Sequence, residues 1–174
     1  MIEIRAGIFE TNSSSTHAIC ISHESPKLPV SENTYELYFG HGDYGWENRI
    51  LSGVLERASY LNEAINSFDD MKKVVYREKL IEILSKYNIE CNFENNDFTV
   101  TFDGKECYDS GYIDHGWETE DFVEAVLEDE NLLLRYLFSP NSMVVTGNDN
   151  CDCPYPNEVL KDTESEYTIF WKWN

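Results

Sequence analysis

The sequence predicts an α+β protein: a single compact domain, residues 1–174, with a mostly antiparallel sheet and about three helices. Three observations point there. Apolar–polar alternation marks the first segment, further strand-like runs lie near both ends of the chain, and apolar residues at helical spacing fill the middle. No stretch between them reads as a linker. At 174 residues and 41% hydrophobic content, roughly two-thirds of the unfolded surface can be buried without disulfide or metal staples.

The elements follow in order. "IEIRAGIF" sets Ile2, Ile4, Ala6 and Ile8 against Glu3, Arg5, Gly7 and Phe9, the pattern of a strand with one apolar face. "HAICIS" and "TYELYFG" read as the next two strands, joined by the two-proline segment "HESPKLPVSEN". After the glycine-rich "GHGDYGWEN", residues 49–66 place Ile50, Leu51, Val54, Leu55, Ala58, Leu61 and Ile65 on one helical face. Ser67, with Asp70 three residues on, is positioned to cap a second helix, whose apolar face is Met71, Val74, Val75, Leu80, Ile81, Leu84 and Tyr87. "IECNFENNDFTVTFDG" reads as two strands around "ENND". Thr119 can cap a third helix carrying Phe122, Val123, Val126, Leu127, Leu132, Leu133, Tyr136 and Leu137, which "SPN" stops. "MVVTG" and "YTIFWKW" are the closing strands. One short echo, "GHGDYGWE" and "DHGWE", is too brief for a repeat.

Charge is the outlying property. Thirty-three acids face 13 lysines and arginines, a formal net charge of −20. Such a surface repels nucleic acids and anionic membranes and attracts basic proteins. The acids concentrate at Asp103, Glu106, Asp109, Asp114, Glu118, Glu120, Asp121, Glu124, Glu128, Asp129 and Glu130, opposed only by Lys105. Carboxylates spread in this way can imitate a phosphate backbone, and these eleven are the candidate partner-binding residues. A solvated helix face accounts for three or four acids more easily than for this run. The five cysteines, and a start with no basic region followed by an apolar one, lead us to expect free thiols and a cytoplasmic protein. No apolar run approaches the roughly 20 residues of a membrane span.

Four constellations could carry chemistry. The hydroxyl-rich "FETNSSSTHAICI" offers Ser13, Ser14 or Ser15 as a nucleophile with His17 as its base. It lacks the glycine-framed elbow and a recognisable orienting acid. His17 shares a strand face with Ile19 and Ile21, the placement of a partly buried structural histidine. An anion cradle of Arg5, Ser13, Ser14, Ser15 and His17 fits better, although no phosphate-loop glycines are present. The favoured reading is a polar turn whose side chains hydrogen-bond their own backbone. Cys151 and Cys153 could join two of the histidines around a metal, but a zinc site normally needs a second close-spaced pair, so we expect no metal or cofactor. His41, Trp46 and Glu47 with His115, Trp117 and Glu118 pair histidine with carboxylate, which suits acid–base work. Packing of helices against the sheet is the expected role of Trp46 and Trp117. The acidic run is the fourth constellation.

The segment R-A-G-I-F-E-T-N-S-S-S-T-H, Arg5 to His17, resembles the start of a group of small proteins encoded by phages and mobile elements of Gram-positive bacteria. The resemblance covers about a tenth of the chain and implies a phage setting inside a host bacterium. Acidic anti-CRISPR and antirestriction proteins are similar in size and charge, an analogy rather than kinship. The expected function is therefore non-enzymatic: inhibition of a host DNA-targeting defence protein, such as Cas9 or another defence nuclease, by occupying its nucleic-acid surface. The alternative is a nucleotide- or phosphate-binding enzyme at the hydroxyl-rich loop. A virion-associated protein that forms homo-oligomers is the third.

Overall fold

The computed structural model describes residues 15–29, 33–45, 47–94, 99–102, 105–108, 111–148 and 166–172. The expected first strand, "IEIRAGIF", lies outside them. The described elements run β1 (Ser15–Ser22), β2 (Tyr35–Phe39), β3 (Asp43–Tyr44), β4 (Arg49–Leu51), α1 (Val54–Asn66) and α2 (Asp70–Ser85). They continue with β5 (Ile89–Phe93), β6 (Thr99–Phe102), β7 (Lys105–Tyr108), β8 (Tyr112–Ile113) and a 3-10 turn over Gly116–Thr119. Helices α3 (Glu120–Glu128) and α4 (Glu130–Phe138) and strands β9 (Met143–Asn148) and β10 (Tyr167–Lys172) complete the order. The class is α+β, as the sequence predicts.

The main sheet has the order β10-β1-β9-β4, and every pairing in it is antiparallel. β1 is interior and buried along its whole length. Its alternation decides which residues meet the helices. Ile19 lies opposite Val144 and Phe170, and these join the main core with the apolar faces of α1, α3 and α4. Ala18 and Cys20 point the other way, packing with Val145, Met143, Ile169 and Trp171 in a smaller cluster. Arg57 of α1 ties the helices to the sheet. Its guanidinium donates to the carbonyls of Ser52 (2.6 Å), Leu137 (2.7 Å), Ser139 (3.1 Å) and Ser142, so a buried cation is solvated by backbone alone.

Five expectations are corrected. Residues 49–51 form strand β4 against β9, not the first turn of a helix; Leu51 is buried and Ile50 exposed, the period-2 pattern of a strand. Gly53 then starts α1, its N–H bonded to the Glu56 carboxylate at 2.7 Å. Ser67 closes α1 by donating to the Glu63 carbonyl at 2.9 Å, and Asp69 caps α2 by accepting from Met71 and Lys72 N–H.

The inward stripe of α2 is Lys73, Tyr76, Arg77, Leu80, Ile83 and Leu84, leaving Met71, Val74, Val75 and Ile81 exposed. The sequence pattern misleads here because Tyr76 and Arg77 bury their stems while keeping polar tips, and Arg77 stacks 4.8 Å over Phe93. β5 pairs in parallel with β2 across the α1–α2 crossover, and β6 pairs with β7, so 89–102 is not a hairpin. The expected long helix over 119–137 breaks at Asp129, whose carboxylate caps α4 through Asn131 and Leu132 N–H. Its predicted apolar face is otherwise buried throughout.

Candidate functional site

The two echoed segments lie side by side. β3 and β8 pair in parallel, Asp43 opposite Tyr112 and Tyr44 opposite Ile113, with Tyr112 N–H donating to Gly42 O and Asp114 N–H to Tyr44 O. Gly111 permits this approach: a Cβ there would lie within 2.5 Å of the Gly42 carbonyl and of Glu63 Oε1.

His41, just before β3, meets a carboxylate, but not that of Glu47, which pairs with Arg49. Its Nδ1 is 2.6 Å from Glu63 Oε1, and the Glu63 side chain is fully buried on α1. Gly42 N–H and Asn66 Nδ2 also donate to that carboxylate. Burial pushes the Glu63 carboxyl above its ordinary range, and the hydrogen bonds from His41, Asn66 and Gly42 oppose the rise. The pair can pass a proton between imidazole and carboxylate. Sequence spacing could not show it, because the partner is 22 residues away on a helix.

The hydroxyl-rich stretch arrives beside these loops. Arg5, Ser13 and Ser14 lie outside the described residues. Ser15 and His17 begin β1, and both are buried. Lys172, at the end of β10 and opposite His17 in register, donates to Ser15 O at 2.8 Å and Ser15 Oγ at 2.6 Å. His17 Nδ1 is 2.9 Å from the Tyr60 hydroxyl, and Nε2 is 3.4 Å from the Gly45 carbonyl. A carbonyl only accepts, so the neutral ring carries its proton on Nε2, and Nδ1 accepts from Tyr60. Burial, with the Lys172 charge second, holds His17 down at about 3.

Lys172 is itself buried, and desolvation lowers its pKa while Glu118 and Asp114 pull it back up. Asp114 Oδ2 and Glu118 Oε2 are buried without a hydrogen-bond partner among the described residues. The start of β1 therefore holds one buried cation with two carboxylates acting on it. An incoming phosphate would meet both acids, so this surrounding favours positive charge over negative.

The eleven acids divide by what they touch. Asp103 and Asp109 lie outside the described residues, and Glu106 belongs to β7. Asp114 and Glu118 act on the Lys172 charge electrostatically, and Asp114 Oδ1 lies 3.9 Å from His115 Nε2. Glu120 pairs with Lys72, Glu124 accepts from the Tyr76 hydroxyl at 3.0 Å, and Glu130 takes Lys86 at 2.9 Å and the Tyr87 hydroxyl. Those two bonds hold the Glu130 carboxyl below its usual range, Tyr87 foremost. Asp129 caps α4 and stays exposed, as do Asp121 and Glu128 on α3.

Trp117, expected to pack a helix, is instead 61% exposed on the 3-10 turn, and Trp46 lies outside the described residues. Its neighbour His115 is left-handed, at φ 52° and ψ 42°. Cys151 and Cys153 also lie outside the described residues, which hold no group of three or more histidines, cysteines and acids placed for a metal.

These features define a small α+β domain with an acidic helical face beside an aromatic, carboxylate-rich loop junction. Against models of known protein families, curated proteins and solved structures, the chain matches none. No helix among the described residues is long and apolar enough to cross a membrane.

Proposed function

We propose that this protein is a non-enzymatic inhibitor that binds a basic, nucleic-acid-binding protein in place of its nucleic acid. One observation carries the reading: a chain of net charge −20 displays Asp121, Glu124, Glu128 and Asp129 along the exposed side of α3 and the start of α4. Attraction to a basic cleft speeds encounter and sets orientation. The internal pairs do not remove Glu120 and Glu130 from this face. The Lys72–Glu120 and Lys86–Glu130 pairs are each about half exposed, and solvent-screened pairs contribute little, so cations of a partner can replace the lysines. The phage-like opening segment, Arg5 to His17, supplies the setting: a host DNA-targeting defence protein in the bacterial cytoplasm, a CRISPR effector such as Cas9 being the type of target.

Capture from a host lysate at low and high salt, with identification by mass spectrometry, tests this. The expected catch is a basic nucleic-acid-binding protein, retained at low salt and released at high salt. Clean recovery of a metabolic enzyme, or retention indifferent to salt, contradicts the proposal.

A further inference from the structure

Beside the acids lies a surface feature that is neither acidic helix nor packed core. Ser67, Ile113, Asp114, His115, Gly116 and Trp117 line an open cavity of about 410 Å³. Its aromatic wall is Trp117, at 61% exposure, with the His115 ring 5.9 Å away. A tryptophan exposed beside carboxylates suits an interface anchor, since tryptophan is among the residues that dominate interfaces. The backbone holds this wall in place at some cost: His115 sits in the left-handed region, which residues other than glycine adopt with strain, and such positions cluster at binding sites. Gly116 cannot be larger, because a Cβ there would lie 2.7 Å from Ser67 Cβ.

The charge of the lining selects the occupant. Asp114 contributes a carboxylate that is 20% exposed, its Oδ1 3.9 Å from His115 Nε2 and its Oδ2 buried, and Glu118, Glu120 and Asp121 follow in the next turn. An anion is repelled there, and a purely apolar group desolvates the part-exposed Asp114 carboxylate without answering its charge. A planar cation answers both requirements. It stacks on the indole face and donates to the carboxylate in the same pose, which a guanidinium does better than the compact, strongly hydrated ammonium of lysine.

We infer that the Trp117 cavity is a docking pocket for an arginine side chain of the basic partner, stacked on Trp117 and hydrogen-bonded to Asp114. This rests on the proposed function and names its central contact: the acids of α3 orient the partner, and the pocket receives one arginine from it.

The pocket can be tested without the partner, so its failure is separable from failure of the capture experiment. The indole N–H resonances of the 15N-labelled full chain are followed while N-acetyl-arginine methylamide is added, with Trp117→Phe used to assign the Trp117 peak. Saturable movement of that peak alone, with a dissociation constant of about 1–10 mM, is expected for one isolated side chain. The uncharged citrulline analogue should bind at least about tenfold more weakly, and Asp114→Asn should weaken the arginine probe several-fold. An unmoved Trp117 peak, an equal response to citrulline, or an equal response to the lysine analogue overturns the inference. Because Trp117 is exposed, its substitution leaves the fold intact, and the other indole peaks report this directly.

Discussion

His17 should make this protein acid-labile through one residue, by an amount the structure sets. In the unfolded chain its imidazole titrates near 6.5; in the fold, burial and the adjacent Lys172 charge hold it at about 3. A base whose folded pKa is depressed contributes its full stability above the unfolded value, and loses it as pH falls toward the folded one. Only the unfolded state gains a proton between these values, so each pH unit costs about 1.4 kcal/mol. From pH 7 to pH 5 the loss is about 2 kcal/mol, or roughly 4–8 °C of melting temperature for a chain of this size. Carboxylates also titrate near the lower end, and Glu63, whose carboxyl is raised by burial, pulls the other way. The comparison is therefore with His17→Gln, which cannot titrate but can still accept from Tyr60. Urea unfolding of both proteins at pH 7, 6 and 5 should show the stability gap narrowing by about 2 kcal/mol. A gap that stays constant would refute the neutral buried histidine, and with it the assignment of His17 to the core.

Two further substitutions test the frame beneath the acidic face. Arg57→Met leaves the carbonyls of Leu137, Ser139 and Ser142 without their shared donor, and should cost about 3–5 kcal/mol, seen as a melting temperature lower by roughly 6–20 °C. Asp129→Ala removes the cap of α4 and should cost about 1 kcal/mol by urea unfolding at pH 7; an unchanged midpoint would mean the α3–α4 break is held by packing alone.

The legible parts of this fold are those where a period runs long enough to be read. β1, β9 and β10 form where apolar runs rich in β-branched and aromatic residues predict strands, and every predicted apolar position of α3 and α4 is buried. The break at Asp129 was hidden because the same apolar period runs across it, and only the carboxylate's bonds to Asn131 and Leu132 N–H distinguish a cap from a helical acid. The buried face of α2 is hidden in the sequence because hydropathy ranks Met71 and Val74 above Tyr76 and Arg77, whereas burial follows whichever stems fit against β5 and α3.

The site was half visible. The echoed glycine-rich loops mark the region of this junction, but the parallel β3–β8 pairing that joins them is non-local. The partners that define the chemistry, Glu63 for His41 and Lys172 for Ser15, lie 22 and 157 residues away. No spacing rule reaches across that distance.

Competition on the captured partner tests the central claim most directly. Labelled duplex DNA is first bound to that protein, and its release is measured as this protein is added at low salt. The account predicts stoichiometric displacement, weakened at least about tenfold when Glu120, Asp121, Glu124 and Glu128 are all replaced by lysine. A stable ternary complex, with DNA and this protein bound together, or displacement untouched by the four reversals, would contradict it.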